Sequence, residues 1–347
     1  MKSPVPSPSI EAADVRACYL CGSDGKGLHA GLRDSLFGVP GIWNILRCPY
    51  CGLAWLSPRP RQEEIPKLYE EYYTHSPPPV GEGGGRQSLG SATREAALRR
   101  ACGYDAGRGP GRQRRLISEV LGRLGPVRDS AAGSVLWLNA WQRGRLLDVG
   151  CGHGSFLAQM RDRGWEVKGV EPDSAAAHAA RSSYHLDVTS AQLEEAGLQA
   201  DAFDVITASH VIEHVHDPIG FLRECRRLLK PGGTVIVVTP NSRSLGSGWF
   251  RGSWRGWEVP RHFFVFTPRT LKKCAERARL RVDELRTTAR SARGIWHESR
   301  ALRKPVHLLG ENAWQRFQGV SFWFLEHLMI RVIPCGEEIL LMARRSP

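Results

Sequence analysis

The chain has 347 residues, 41% of them hydrophobic and 24% charged, with a formal net charge of +13. That apolar content excludes a disordered chain, because burial can offset the conformational entropy of folding, and the length accommodates a catalytic domain plus a smaller module. The positive excess is mostly arginine and uneven, with 16 Lys/Arg against 5 Asp/Glu over residues 241–310, which raises nucleic acid or another polyanion as a partner without selecting one.

The opening M-K-S-P-V-P-S-P-S-I lacks the apolar segment of a secretory signal, so a cytoplasmic location is expected. Nine cysteines in such a chain argue against a disulfide framework. Four of them form two matched pairs, C-Y-L-C-G (Cys18, Cys21) and C-P-Y-C-G (Cys48, Cys51). Each pair lies on a turn closed by glycine, and two such turns facing each other make a tetrahedral sulfur site of the zinc-ribbon type. Four thiolates leave no vacant position, so the expected Zn2+ is structural, and it stabilises a segment too short for a core of its own. Among the other five, Cys102, Cys225, Cys274 and Cys335 are scattered packing residues, while Cys151 also sits in the glycine loop described below.

S-P-P-P-V-G-E-G-G-G at residues 76–85 is a cluster of chain breakers and reads as a linker. R-Q-R-R-L-I-S-E-V-L-G-R-L, ahead of Gly125-Pro126, reads as a helix leading into the next domain.

From Arg145 onward, short apolar runs alternate with helical ones, the pattern of parallel strands joined by crossover helices. L-L-D-V-G-C-G-H-G-S-F-L begins as a buried strand, turns on Gly150, Gly152 and Gly154, and continues as a helix; W-E-V-K-G-V-E-P is a second strand ending in Glu171. Closely spaced glycines before a helix let a ligand lie against bare backbone at its N-terminus, and a carboxylate at the tip of the second strand suits the two hydroxyls of a ribose. A dinucleotide site is the usual competitor. Here Asp148 precedes the first glycine, and the third comes one place too early for G-x-G-x-x-G, which favours a nucleoside carrying an amino acid over a pyrophosphate.

F-D-V-I-T-A (203–208) is a further strand, Asp217 caps a helix with Pro218 in its first position, and T-V-I-V-V-T-P is the next strand. Taken in order, L-L-D-V-G-C-G-H-G, V-E-P, F-D-V-I-T-A-S-H-V-I-E-H-V and L-L-K-P-G-G-T-V-I-V-V-T-P resemble the class I S-adenosylmethionine-dependent methyltransferases, in the branch similar to the ubiquinone O-methyltransferases. The resemblance covers about residues 145–290; the cysteine-rich front followed by a Tyr-rich segment is similar to bacterial methyltransferases acting on sugars or other small metabolites.

The resemblance implies an α/β, Rossmann-like fold, a mostly parallel seven-stranded methyltransferase sheet with helices on both faces beside the small zinc ribbon. L-R-V-D-E-L-R-T-T would be the sixth strand and E-E-I-L-L-M-A-R-R the last. It divides the chain into a zinc-ribbon-like module at 14–60, a linker and helical lead-in at 61–140, and a methyltransferase domain at 141–347 with a helical insertion at about 291–336. The aromatic and aliphatic residues of that insertion read first as core, with an acceptor pocket or peripheral membrane contact through 317–333 as the other readings. No uninterrupted apolar run is long enough to span a bilayer.

The resemblance also implies site residues. Asp148, Gly150, Cys151, Gly152 and Glu171 would bind S-adenosylmethionine, Gln192 and Leu193 would form the turn against adenine, and Ser209 and His210 would lie near the methionine part. The family often has an acidic residue near the adenine turn, and none stands at Gln192 or Leu193. His210 to His214, H-V-I-E-H, has the spacing of the inverted zinc peptidases. That chemistry needs the motif inside a helix and a third ligand, whereas Asp217-Pro218 opens the helix only after the motif ends, so a peptidase is set aside. A hydroxyl acceptor needs its proton removed, and His214 and His262, the latter in W-E-V-P-R-H-F-F-V-F-T-P, are the candidate bases. Glu213 and His214 could instead, with His210, hold a divalent ion, or simply brace the loop.

The expected function is methyl transfer to oxygen of a small molecule or glycan precursor. The rivals are an RNA methyltransferase gripping its substrate with the ribbon and arginine-rich surface, and a cofactor-sensing docking protein without turnover. T-P-N-S from residue 239 lacks the Asn/Asp-Pro-Pro-aromatic tetrad of amino-group methylation, so nucleic acid is the less favoured partner.

Overall fold

A computed structural model of the chain describes residues 10–69, 89–104, 112–303 and 313–346. The expected linker at 76–85 lies outside them. Two compact units hold, respectively, the described residues of 1–73, 209–223 and 237–343, and those of 74–208, 224–236 and 344–347.

The first unit begins with strands β1 (Ala12–Ala13), β2 (Lys26–Leu32), β3 (Trp43–Arg47), β4 (Ala54–Ser57) and β5 (Arg59–Pro60). β2, β3 and β4 form an antiparallel meander, and the two-residue β1 and β5 pair separately. Trp55 anchors the meander: it is buried, donates its indole N–H to the Val15 carbonyl at 2.8 Å, and packs so closely on Gly25 that a Cβ there would meet the ring at 2.5 Å.

The second unit carries helices α1 (Leu89–Cys102), α2 (Arg112–Leu121) and α3 (Gly125–Gly133), then β6 (Arg145–Val149), α4 (Ser155–Arg161), β7 (Glu166–Val170), α5 (Ser174–Tyr184), β8 (Val188–Thr189) and β9 (Phe203–Ser209). The pairs β6/β7, β6/β9 and β7/β8 are parallel. Their apolar runs are nearly continuous because parallel strands with crossover helices are covered on both faces, and Leu146, Leu147, Val205 and Ile206 are accordingly buried.

Further along lie α6 (Pro218–Leu228), β10 (Leu229–Pro240), α7 (Leu245–Phe250), β11 (Phe264–Val265), α8 (Pro268–Arg277), β12 (Leu280–Thr288), α9 (Ala292–Arg303), α10 (Ala313–Met329) and β13 (Glu338–Arg345). The large sheet has seven strands in the order β12-β13-β10-β9-β6-β7-β8, the Rossmann-like α/β class expected. The front strands do not stand apart, since β11 pairs antiparallel with β4 and completes a four-stranded sheet, β11-β4-β3-β2. α9 and α10 fall in the expected insertion. Its aromatics read as core only in part: Phe322 and half-buried Trp296 pack together with ring centroids 4.7 Å apart, whereas Trp314, Phe317 and Phe324 are exposed. Among the described residues, no helix is long and apolar enough to cross a membrane.

Candidate active site

In the second unit, β6 delivers Asp148 and Val149 to a turn whose Gly150, Gly152 and Gly154 all have positive φ, a backbone that side chains with a Cβ adopt only with strain. Gly154 also has no room to spare, because a Cβ would lie 2.6 Å from Leu186. The turn ends on α4. Glu171, just past β7, braces it: one carboxylate oxygen accepts from Gly152 N–H at 2.8 Å and the other from Asp173 N–H at 2.9 Å. Asp148 is buried and accepts the Thr207 hydroxyl proton at 2.6 Å. Burial pushes its carboxyl up to about 7, the Thr207 hydrogen bond opposing the rise and the charge of Glu171 adding to it. Glu171 is raised too, chiefly by burial.

Cys151, in the same turn, points its thiol into the core formed by Leu157, Ala177, Val188 and neighbours, so only its backbone is left for a ligand in the loop. Leu193 is buried in a one-turn helix, Leu193–Glu195, with Gln192 at its N-cap.

In the first unit, H-V-I-E-H leaves the end of β9 and closes in a single helical turn, Ile212–His214, and α6 starts only at Pro218. The peptidase geometry is thus excluded. Ser209 accepts from Arg290 at 3.4 Å. His210 sits in the left-handed region, φ 57°, with Nε2 2.7 Å from Glu338 Oε1 and Nδ1 3.3 Å from Glu213 Oε1. Burial alone would lower its pKa, but hydrogen bonds to the two carboxylates raise it to about 10, so at neutral pH it is an imidazolium. Both nitrogens face carboxylates, and His210 is not among the residues whose ligand atoms cluster with those of Glu213 and His214.

His262 takes that place. The His214 and His262 rings stand edge to face, centroids 4.7 Å apart, and Glu213, His214 and His262 each offer a ligand atom within 4.8 Å of the others. His214 Nδ1 lies 3.0 Å from the Arg261 carbonyl and 2.9 Å from the Tyr69 hydroxyl, and His262 Nδ1 lies 2.8 Å from the Gly256 carbonyl. A carbonyl only accepts, so Nδ1 carries the proton in both rings and each Nε2 keeps its lone pair. Glu213 is fully buried; Oε2 accepts from Thr239 at 2.9 Å, while Oε1 faces His210 Nδ1 at 3.3 Å. Burial holds His262 down at about 4 and lowers His214 as well, so both imidazoles are neutral at pH 7. Two imidazole nitrogens and one carboxylate oxygen are a donor set that fits a divalent transition metal.

Residues the sequence reading passed over complete this wall. Buried Glu258 lies 3.4 Å from His262 Nε2 and pairs with Arg255 and Arg261, and Arg261 continues to Asp34 at 2.9 Å. Glu338 is held by Arg290 at 3.0 Å and by the Ser291 hydroxyl at 2.8 Å. The signal was present: E-E ahead of I-L-L-M puts charges in an apolar run, where an ion requires partners.

The four front cysteines converge. Cys18 and Cys51 sulfurs are 3.5 Å apart, those of Cys21 and Cys48 3.4 Å, and all four lie within 4.8 Å. Those distances are far too long for disulfides and close to the roughly 3.8 Å edge of a tetrahedron with Zn–S bonds of about 2.3 Å. The two turns are built alike. Gly22 N–H donates to the Cys18 carbonyl and Gly52 N–H to the Cys48 carbonyl, each glycine at positive φ.

A family model described as "Methyltransferase domain" matches residues 111–285, just over half of the chain. The Ubiquinone biosynthesis O-methyltransferase of Cereibacter sphaeroides is 39% identical over 102 residues, which are 28% of this chain and 41% of the relative. The protein of the same name from Bradyrhizobium diazoefficiens is 36% identical over 128 residues, 34% of this chain and 50% of the relative. The chain therefore spans half or less of the length of these two curated relatives. A solved SAM dependent methyltransferase from Archaeoglobus fulgidus is 20% identical, covers 58% of this chain and 86% of its own, and superposes with a TM-score of 0.41. By the match across residues 111–285, the chain belongs to the methyltransferase-domain family.

Proposed function

We propose that the protein transfers a methyl group from S-adenosylmethionine to an oxygen of a small molecule or glycan precursor. The observation that carries this reading is the glycine turn after β6, with buried Asp148 before it and Glu171 braced against its backbone. Asp148 would take the ammonium or loop amides, Gly150, Gly152 and the Cys151 backbone would lie along the nucleoside, and Glu171 would take the ribose hydroxyls. Gln192 and Leu193 would face adenine, and Ser209 and His210 would lie beside the methionine part. The names of the partial relatives support oxygen as the acceptor atom.

A sulfonium is already a strong electrophile, so the protein's task is in-line alignment and exclusion of water, plus removal of the acceptor's proton. Of the two candidate bases His214 is the better placed, because His262 is almost fully buried and its pKa of about 4 makes it a weak base. The clustering of one carboxylate and two imidazoles within 4.8 Å favours a second reading of the same triad. Glu213, His214 and His262 would hold a divalent cation that, when bound, lowers the pKa of the acceptor hydroxyl. We further infer that Cys18, Cys21, Cys48 and Cys51 hold a structural Zn2+, on the strength of their four converging sulfurs.

The test is incubation of the purified protein with methyl-labelled S-adenosylmethionine and fractionated cell extract. Label in small molecules or glycan precursors supports the proposal. Label confined to RNA would replace it with the polyanion reading, and cofactor binding without label in any fraction would replace it with the sensor.

A further inference from the structure

α10 is turned inside out with respect to water. Its inward side carries Gly319, Phe322 and the fully buried Glu326, while its outward side presents Trp314, Phe317, Val320, Phe324, Leu325 and Leu328. Trp314 is 63% exposed, Phe317 59% and Phe324 52%. A soluble helix normally buries its apolar stripe, and a contiguous exposed one marks a contact surface. The apolar surface extends past the helix through exposed Val332 and Ile333, and exposed Trp249 lies tilted against Trp296 of α9, ring centroids 6.0 Å apart.

Among the described residues of α10 and the four after it, the exposed charges are all positive. Arg293 and Arg303 of α9, Arg316 of α10 and Arg331 beyond it are exposed. Among the described residues of α9, α10 and the following four, the only acids are Glu298, which is bonded to Arg255, and the buried Glu326. Two copies meeting through this face would bring like-charged rims together. An anionic bilayer complements both features, accepting Trp, Phe and Leu at the headgroup boundary and attracting the arginines. We propose that the outward face of α10, with its arginine rim, is a docking surface for an anionic membrane. The helix lies in the interface plane and does not span it. This stands on surface geometry and charge and does not depend on the chemistry of the cofactor loop.

The experiment is flotation of the full chain with phosphatidylcholine vesicles and with vesicles that also contain phosphatidylglycerol. The expected result is binding to the anionic vesicles about tenfold or more above the neutral ones, weakened by salt. Phe317→Ser/Phe324→Ser/Leu328→Ser should lose that binding with the chain still folded and only a small drop in melting temperature, since each side chain is about half exposed, and Arg316→Gln/Arg331→Gln should reduce it severalfold. Parent protein that stays unbound with anionic vesicles overturns the proposal. So does a triple-serine variant that floats as the parent does. Sedimentation showing that the triple change converts a dimer to a monomer overturns it in favour of a second copy.

Discussion

Glu338 Oε1 accepts from His210 Nε2 across 2.7 Å, and the two residues are 128 positions apart in the chain. The contact joins the end of β9 to the start of β13 and fixes an imidazolium in a left-handed backbone. His210 is raised to about 10, so its contribution to stability is fully present below the ordinary value of about 6.5 and is lost as pH rises through about 10. Glu338 is depressed, in net, by Arg290 and His210 against the opposing effect of burial, so its contribution is present above about 4.3 and lost in acid. Stability should therefore be highest between about pH 5 and 7. Glu338→Gln should cost roughly 1–3 kcal/mol there, discounted from a fully buried pair because the His210 side chain is 39% exposed, and less at pH 10, where His210 is losing its proton and the Arg290 pair remains. Urea unfolding across this range checks it. An equal loss at pH 6 and pH 10 would show that Glu338 acts through Arg290, Ser291 and packing and not through His210.

Asp148 has the opposite sign. A carboxyl whose pKa is raised to about 7 destabilises the fold once pH exceeds its unfolded value of about 3.9. Asp148→Asn should therefore stabilise the ligand-free protein at pH 8, by on the order of 2 kcal/mol. The same change should weaken S-adenosylmethionine binding by tenfold or more, because the proposed ammonium partner is gone. Calorimetric titration and thermal melts of the one variant measure both effects. Unchanged affinity would remove Asp148 from the cofactor site.

These two residues show where the sequence was legible. Asp148 lies in an apolar run followed by glycines, a local pattern, and the strand at 203–208 and the Asp217-Pro218 helix start were readable for the same reason, while the strand at 280–288 followed from the family resemblance. The partners of the motif histidines were not, because periodicity says nothing of which distant side chains a fold brings together. Tyr69 reaches His214 across 145 positions, and Glu338 reaches His210 across 128. The family resemblance suggested His210 beside Glu213 and His214 as one ligand set; in the structure both His210 nitrogens face carboxylates, and it is His262 that clusters with Glu213 and His214. α10 shows a second limit. Its apolar composition read first as core, but with Phe322 inward and Phe317 and Phe324 outward, composition could not say which aromatics face water.

The front turns give a prediction about the metal. Cys48→Ala should release one zinc ion per chain and destabilise the β2-β3-β4 meander, since three thiolates bind far less tightly than four. Because β4 also pairs with β11, the loss should lower cooperativity of unfolding beyond the first 60 residues. Elemental analysis of parent and variant, with hydrogen exchange over residues 43–57 and 264–265, reads both. A parent protein that contains no zinc would end the claim.

The triad decides between base and ion. If His214 acts alone as the base, His214→Ala should lower kcat by about a hundredfold or more, whereas His262→Ala, which removes a weak base at about 4, should cost far less. If Glu213, His214 and His262 hold a divalent cation, the two alanine variants and Glu213→Gln should fall together, and each should lose the same bound metal. The pH profiles separate the cases again. His214, lowered in net by burial despite the charges of Glu213 and Glu258, would be an active neutral base from below its ordinary value of about 6.5 upward, so activity should be flat from about pH 7 to 9. Since His262 and His214 have their Nδ1 protons locked by the carbonyls of Gly256 and Arg261, neither ring can turn to substitute for the other, and rescue by added imidazole should restore only the variant whose Nε2 does the chemistry.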